Sequence, residues 1–175
     1  MCLCKTGDGI ELRAIRNADI EKLLELAIWS EELWPLKSFR QRLTEAAELH
    51  ARGKGLACAL YVEGEAAGYV IMDFHWTKSG QLHHGQLHYG LAPSHRGKGV
   101  VTKSCGALID YAFRRLDLES VSIIVPVLNS ESCGVPERLG FEKAGTSWGL
   151  DEDGQPVETA EYAMSRGGWQ AREPR

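Results

Sequence analysis

Three stretches of the sequence combine residue types and spacings that could do chemistry. The first, "SHRGKGVVTKS" (94–104), sets Gly97 and Gly99 among Arg96, Lys98 and hydroxyl side chains. Glycines let a backbone approach an anion closely, and the neighbouring cations add charge, so this stretch suits a phosphate. The second, "LHHGQLHYGL" (82–91), alternates along a strand, which puts His84, Gln86 and His88 on one face. An imidazole that titrates near a pKa of about 6.5 takes up or releases a proton near neutral pH, directly or through water. A half-exposed strand histidine with no chemical duty is the commoner case. The third, "NSESCGVPERLGF" (129–141), offers Asn129 and Ser132 as hydrogen-bonding groups. Asn129 serves equally well as a helix cap, and the two roles are compatible.

Other constellations are weaker. Cys2-Leu3-Cys4 lacks a second pair of metal ligands, and His75, His83, His84 and His88 alternate across a strand and cannot all converge on zinc. No metal is therefore expected.

For 94–104 two well-known phosphate loops fail. A Walker loop needs G-x-x-x-x-G-K-[ST], and Thr102 occupies its second glycine. A dinucleotide loop needs a third glycine where Thr102 or Lys103 stands, and it opens the first βαβ unit instead of lying in mid-chain. What remains is a strand, a glycine turn and a helix N-terminus, whose unpaired N–H groups and dipole attract an anion. A plain turn with glycines for geometry alone stays open at this point.

These groups need elements to hold them. "IELRAI" (10–15) alternates as an opening strand, and Asn17 or Asp19 offers an N-cap to a helix carrying Leu23, Leu24 and Ile28. A second helix is predicted over 38–50, then a hairpin with strands near 56–62 and 67–74. A turn at 77–81 leads to the strand over 82–91. Behind the glycine loop, Val101, Cys105, Leu108, Ala112 and Leu116 form one helical stripe. A strand at 120–127 follows, then a short helix or irregular turn over 129–140, and strands near 141–149 and 156–164. The pattern is mixed α/β (α+β-like), in a single domain over 1–175 with 1–9 and 167–175 as terminal tails. The length of 175 residues fits one domain.

Composition narrows the function. The net charge is −4 and the basic residues are dispersed, so no nucleic-acid partner is expected. No apolar run approaches the roughly 20 residues of a membrane span, and the N-terminus lacks a signal-peptide core. Five cysteines without paired spacing read as reduced thiols in a cytoplasmic protein.

"LHYGLAPSHRGKGVV" resembles the strand and pyrophosphate loop of the GNAT acyltransferase superfamily, whose core is [Gln/Arg]-x-x-Gly-x-[Gly/Ala]. Arg96 and Gly99 match, and Val101 replaces the usual small residue. "NSESCGVPERLGF" is similar to the segment after the following strand, where Asn and Ser precede a closing x-Gly-Phe. The order of elements agrees over roughly residues 10–165. The nearest type is the Rim-like one, the ribosomal-protein N-terminal acetyltransferases.

The resemblance implies a twisted, mostly antiparallel sheet of about seven strands flanked by four helices, and acetyl-CoA as acyl carrier and co-substrate. It assigns the pyrophosphate to the backbone of Arg96, Gly97, Lys98, Gly99, Val100 and Val101. The oxyanion donors fall at Tyr89, Gly90 and Leu91. Ser132 becomes the acid for the leaving thiolate, and Asn129 a ligand of the pantetheine or acetyl group. Pro136 stands where many relatives have a tyrosine acid, and Gln86 where many have a glutamate base, which leaves His84 or His88 to accept the amine proton.

Acceptor-side candidates are Trp29, Glu31, Glu32 and Trp34 in "WSEELW", Gln86, and Asp151, Glu152 and Asp153. Solvated acidic ends and packed aromatics are the plainer account of the acidic and tryptophan positions. An α-amine, with a pKa near 7.7–8.0, needs less help than a lysine near 10.4, so a weak base fits a protein N-terminus. The alternatives are a small amine (polyamine, amino acid or aminoglycoside) and a catalytically silent CoA-binding module. Homodimers are common in the family and remain an option here.

Overall fold

The computed structural model describes residues 2–6, 8–26, 36–150 and 155–172. Its strands are β1 (Cys2–Lys5), β2 (Ile10–Ala14), β3 (Gly55–Val62), β4 (Glu65–Trp76), β5 (Leu82–Leu91), β6 (Ser120–Pro126), β7 (Glu142–Leu150) and β8 (Pro156–Ser165). The helices are α1 (Asn17–Glu25), α2 (Leu36–Ala51), α3 (Val100–Arg115), α4 (Ser130–Arg138) and α5 (Arg166–Gln170). Hydrogen bonding orders the strands β1-β2-β3-β4-β5-β6-β8-β7. The β5–β6 pair is parallel, and the other pairs whose register is resolved are antiparallel. A parallel pair needs a crossover, which α3 supplies.

Two compact units make up the chain, Met1–Asp73 with His88–Ala107 and Phe74–Leu87 with Leu108–Arg175, and β4, β5 and α3 each contribute to both. In the first, Phe39, Leu43 and Ala46 recur at the spacing of one face of α2. With Leu23 and Leu24 of α1 they cover Ala57, Ala59, Tyr61 and Ile71. Nearly all of β3 is buried, which is why "LACALYV" reads as a continuous apolar run. In the second, Leu108, Ile109, Ala112 and Phe113 of α3 are buried, as are Val121, Ile123 and Val125 on β6.

The differences from expectation have local causes. Residues 2–5, expected as a tail, pair with β2 (Cys4 opposite Leu12), an edge strand too short to show a pattern. Part of the expected C-terminal tail forms α5, capped by the Ser165 hydroxyl, which accepts from the Gly168 N–H at 3.0 Å. The cap of α1 is neither Asn17 nor Asp19 but Arg16, and Asp19 is the third helical residue. Its carboxylate reaches back to accept the Arg16 N–H at 2.9 Å. Among the described residues no helix is long and apolar enough to cross a membrane.

Candidate active site

The glycine stretch forms the expected strand–turn–helix. After β5 a single 3-10 turn (Pro93–His95) leads to Gly97 and Gly99, both at φ +73°, a left-handed conformation that glycine alone adopts cheaply. The Lys103 N–H donates to the Gly99 carbonyl at 3.0 Å, so the amides of Gly99, Val100 and Val101 precede the first helical bond of α3. A Cβ added at Gly97 would meet nothing within 4 Å, so open space lies beside the turn. Arg96 Nε donates to the Leu91 carbonyl at 3.4 Å and Lys98 Nζ to the Ser94 carbonyl at 3.0 Å, and both residues are exposed. Backbone donors, a helix N-terminus and two cations form a donor set whose chemistry fits a pyrophosphate.

Upstream of that loop β4 and β5 come very close. A Cβ on Gly68 would lie 2.2 Å from the Gly90 carbonyl oxygen, and the Ala92 N–H donates to the Ala67 carbonyl at 2.8 Å. Tyr89, Gly90 and Leu91 are thus the end of β5 that turns into the loop.

Along β5, Gly85 and Leu87 are buried while His84, Gln86 and His88 are half-buried, the alternation that the sequence leads one to expect. The two histidines differ in what they touch. His84 is engaged at both ring nitrogens, Nδ1 with the Ser120 hydroxyl at 2.9 Å and Nε2 with the Ser122 hydroxyl at 2.8 Å. Burial, with His75 and His83 adding repulsion, pushes its pKa below the usual histidine value. His84 therefore reads as a neutral strut between β5 and β6.

His88 places only Nε2 on a partner, the Asp73 Oδ2 of β4 at 3.1 Å, and Nδ1 has no partner among the described residues. The same Oδ2 accepts from Arg42 Nη2 of α2 at 2.5 Å. Burial drives the Asp73 carboxyl up, but the His88 and Arg42 donors outweigh it and hold it below the ordinary carboxylate value. Of the two histidines, His88 alone keeps a ring nitrogen without a partner among the described residues.

Downstream of β6, Asn129 caps α4, its side-chain oxygen accepting the Ser132 N–H at 3.0 Å. Pro136 lies inside this helix without ending it, and it deprives the Ser132 carbonyl of its usual i+4 donor. The helix ends in a Schellman turn. The Phe141 N–H bonds to the Pro136 carbonyl and the Gly140 N–H to that of Glu137, both at 2.9 Å, with Gly140 at φ +66°. The closing Leu-Gly-Phe is thus a helix stop. Ser132 sits in the first turn of α4 with its side chain half-buried.

Trp29, Glu31, Glu32, Trp34, Asp151, Glu152, Asp153 and Ile28 lie outside the described residues, as do the side chains of Cys2 and Cys4. Asp73 and Arg42 escape a reading by motif. The available signal was a lone acid near the end of the apolar run "YVIMDF", a position that demands a partner.

Comparison with known proteins gives the family of the chain. Residues 10–142 match the family model described as an acetyltransferase (GNAT) domain. YdaF of Bacillus subtilis (strain 168), named provisionally as a ribosomal N-acetyltransferase, is 27% identical, covering 97% of this chain and 98% of its own. The spermidine N(1)-acetyltransferase of Escherichia coli (strain K12) is 23% identical over 80% of this chain and 76% of its own. In three dimensions the chain resembles RimL, the ribosomal L7/L12 α-N-protein acetyltransferase solved with coenzyme A. The TM-score is 0.79 at 20% identity, covering 96% and 99% of the two chains. The match over residues 10–142 covers well over half of the sequence, so the chain belongs to the GNAT acetyltransferase family and is an acetyl-CoA-dependent N-acetyltransferase.

Proposed function

We propose that the acceptor is the α-amine at a protein N-terminus, such as that of a ribosomal protein, acetylated in the cytoplasm by direct attack on the thioester. The amine nitrogen bonds to the carbonyl carbon, the C–S bond breaks, and coenzyme A leaves as the thiolate. His88 Nδ1 takes the proton that the amine sheds, and the Ser132 hydroxyl donates to the departing sulfur. Backbone N–H groups near Tyr89, Gly90 and Leu91 receive the oxyanion. The Arg96 N–H is taken by the Pro93 carbonyl at 3.2 Å, so the amides from Gly97 to Val101, with the Arg96 side chain, hold the pyrophosphate, and Asn129 adds a donor to the pantetheine or acetyl group.

The observation that carries this reading is the His88 ring, bound at Nε2 and, among the described residues, without a partner at Nδ1. A base of histidine strength suits an α-amine, a sizeable fraction of which is already neutral near pH 7, better than a lysine. The likeness to YdaF points the same way. Cytoplasmic location is supported by thiols, not disulfides, at Cys58, Cys105 and Cys133.

The similarity to a spermidine acetyltransferase favours a second reading, a polyamine acceptor. A panel of peptides with free N-termini, the same peptides blocked at the N-terminus but carrying lysine, and spermidine separates the two. The proposal expects the highest kcat/KM on free N-termini. Faster turnover of spermidine than of any peptide would replace it with the second reading.

A further inference from the structure

We infer that Asp73 and Arg42 are positioning residues for His88: Arg42 fixes the Asp73 carboxylate, which holds the imidazole with its proton on Nε2 and its lone pair on Nδ1. The inference rests on the reading of His88 as the base and goes beyond it by naming what orients that base.

An ionised carboxylate only accepts, and a guanidinium only donates. With Arg42 Nη2 at 2.5 Å and His88 Nε2 at 3.1 Å from one oxygen, Nε2 must carry a hydrogen. In the neutral ring the basic nitrogen is then Nδ1, the atom without a partner among the described residues. The ion pair is partly shielded, with side-chain exposures of 21% for Arg42 and 28% for Asp73, so solvent screens it less than a surface pair. The three groups come from α2, β4 and β5, and the anchoring of Phe39 and Leu43 in the core beside Arg42 sets where the guanidinium lies.

The chain of contacts also explains how a charged Asp can sit near the end of an apolar strand. Asp73 is partnered on one side by a permanent cation and on the other by a ring that needs orienting. A purely structural pair would not require the histidine, because Arg42 alone neutralises the carboxylate.

The test combines proton NMR of the His88 ring with a double-mutant cycle in kcat/KM. In the wild type a His88 Nε2–H resonance protected from solvent exchange is expected, and Asp73→Ala should abolish it. The same substitution should lower kcat/KM by about 100-fold through misplacement of the base, with KM for acetyl-CoA little changed. Asp73→Asn should recover most of that loss, because Arg42 forces the amide oxygen toward itself and so preserves an acceptor for Nε2–H. In a His88→Ala background, Asp73→Ala should cost nothing further. An equal loss in both backgrounds, with the melting temperature lowered alike, would make Asp73 structural and overturn the inference. Full activity of His88→Ala, with the protected resonance observed in the wild-type protein, would instead remove His88 as the base while leaving the pairing intact.

Discussion

Asn129 is assigned two roles, and one pair of substitutions separates them. Its side-chain oxygen caps α4 through the Ser132 N–H at 3.0 Å, and its amide nitrogen is proposed to donate to acetyl-CoA. Asn129→Ala removes both functions. Loss of such a cap costs about 1 kcal/mol, which in a chain of this size lowers Tm by about 2–4 °C. Loss of one neutral hydrogen bond to the substrate costs about another 1 kcal/mol, which is roughly a fivefold rise in Kd. Asn129→Asp keeps an oxygen acceptor at the helix N-terminus, where a negative charge is favourable, but it loses the N–H donor. The apo protein should then melt at or slightly above the wild-type temperature while acetyl-CoA binds about fivefold more weakly. Thermal melts of the apo protein and calorimetric titration with acetyl-CoA read the two effects independently. Wild-type affinity in Asn129→Asp would refute the donor role, and an unchanged apo Tm in Asn129→Ala would refute the cap.

Three further outcomes are expected. Ser132→Ala should lower kcat more than it changes acetyl-CoA affinity, and an unchanged kcat would exclude it as the acid. Gly68→Ala brings a Cβ to 2.2 Å from the Gly90 carbonyl, backbone against backbone, so it should cost about 3 kcal/mol, and a chemical-denaturation midpoint equal to wild type would contradict the close β4–β5 approach. Acid should destabilise the fold in part through Asp19. Burial pushes this carboxyl up, but hydrogen bonds from Tyr61 (2.6 Å) and Arg16 prevail and leave it below its ordinary value. Stability from this group is therefore complete above the unfolded value of about 3.9 and is lost as pH falls through the lower folded value, so the Tm of Asp19→Asn should decline less than that of wild type below about pH 4.

Much of this was legible because local chemistry agreed with the global fold. Alternation in 82–91, the glycines at 97 and 99 and the stripe on α3 each follow one element's own period, so the strand–turn–helix at the loop emerges from sequence with its boundaries nearly right. The N-cap of α1 was not legible. Asn17 and Asp19 both suit a cap by type, but Asp19 is more useful one turn in, where it accepts from Arg16 and from Tyr61, 42 residues away. Over 129–140 the sequence leaves open a short helix or an irregular turn; Pro136 lies inside α4, and the turn at Gly140 still satisfies the last carbonyls. The partnership of Asp73 with Arg42 and His88 spans three elements, and no spacing rule connects residues 31 apart on a helix and a strand.

Gln86 stands where the family resemblance implies a glutamate base. A glutamine at that position removes a carboxylate base from β5, which on sequence alone kept a silent CoA-binding protein in play. The carboxylate has instead an equivalent one strand away. Asp73 on β4 faces His88 on β5, two residues beyond Gln86, and in the proposed reaction proton acceptance falls to an imidazole nitrogen backed by that carboxylate. An amine that is often neutral on arrival sheds only one proton per turnover, so a single lone pair within reach is enough to receive it. His84 cannot substitute, because Ser120 and Ser122 occupy both of its nitrogens. His88→Ala should lower kcat/KM on free N-termini, whereas His84→Ala should mainly lower stability by uncoupling β5 from β6. Equal effects of the two on kcat/KM at unchanged Tm would refute the assignment of the base.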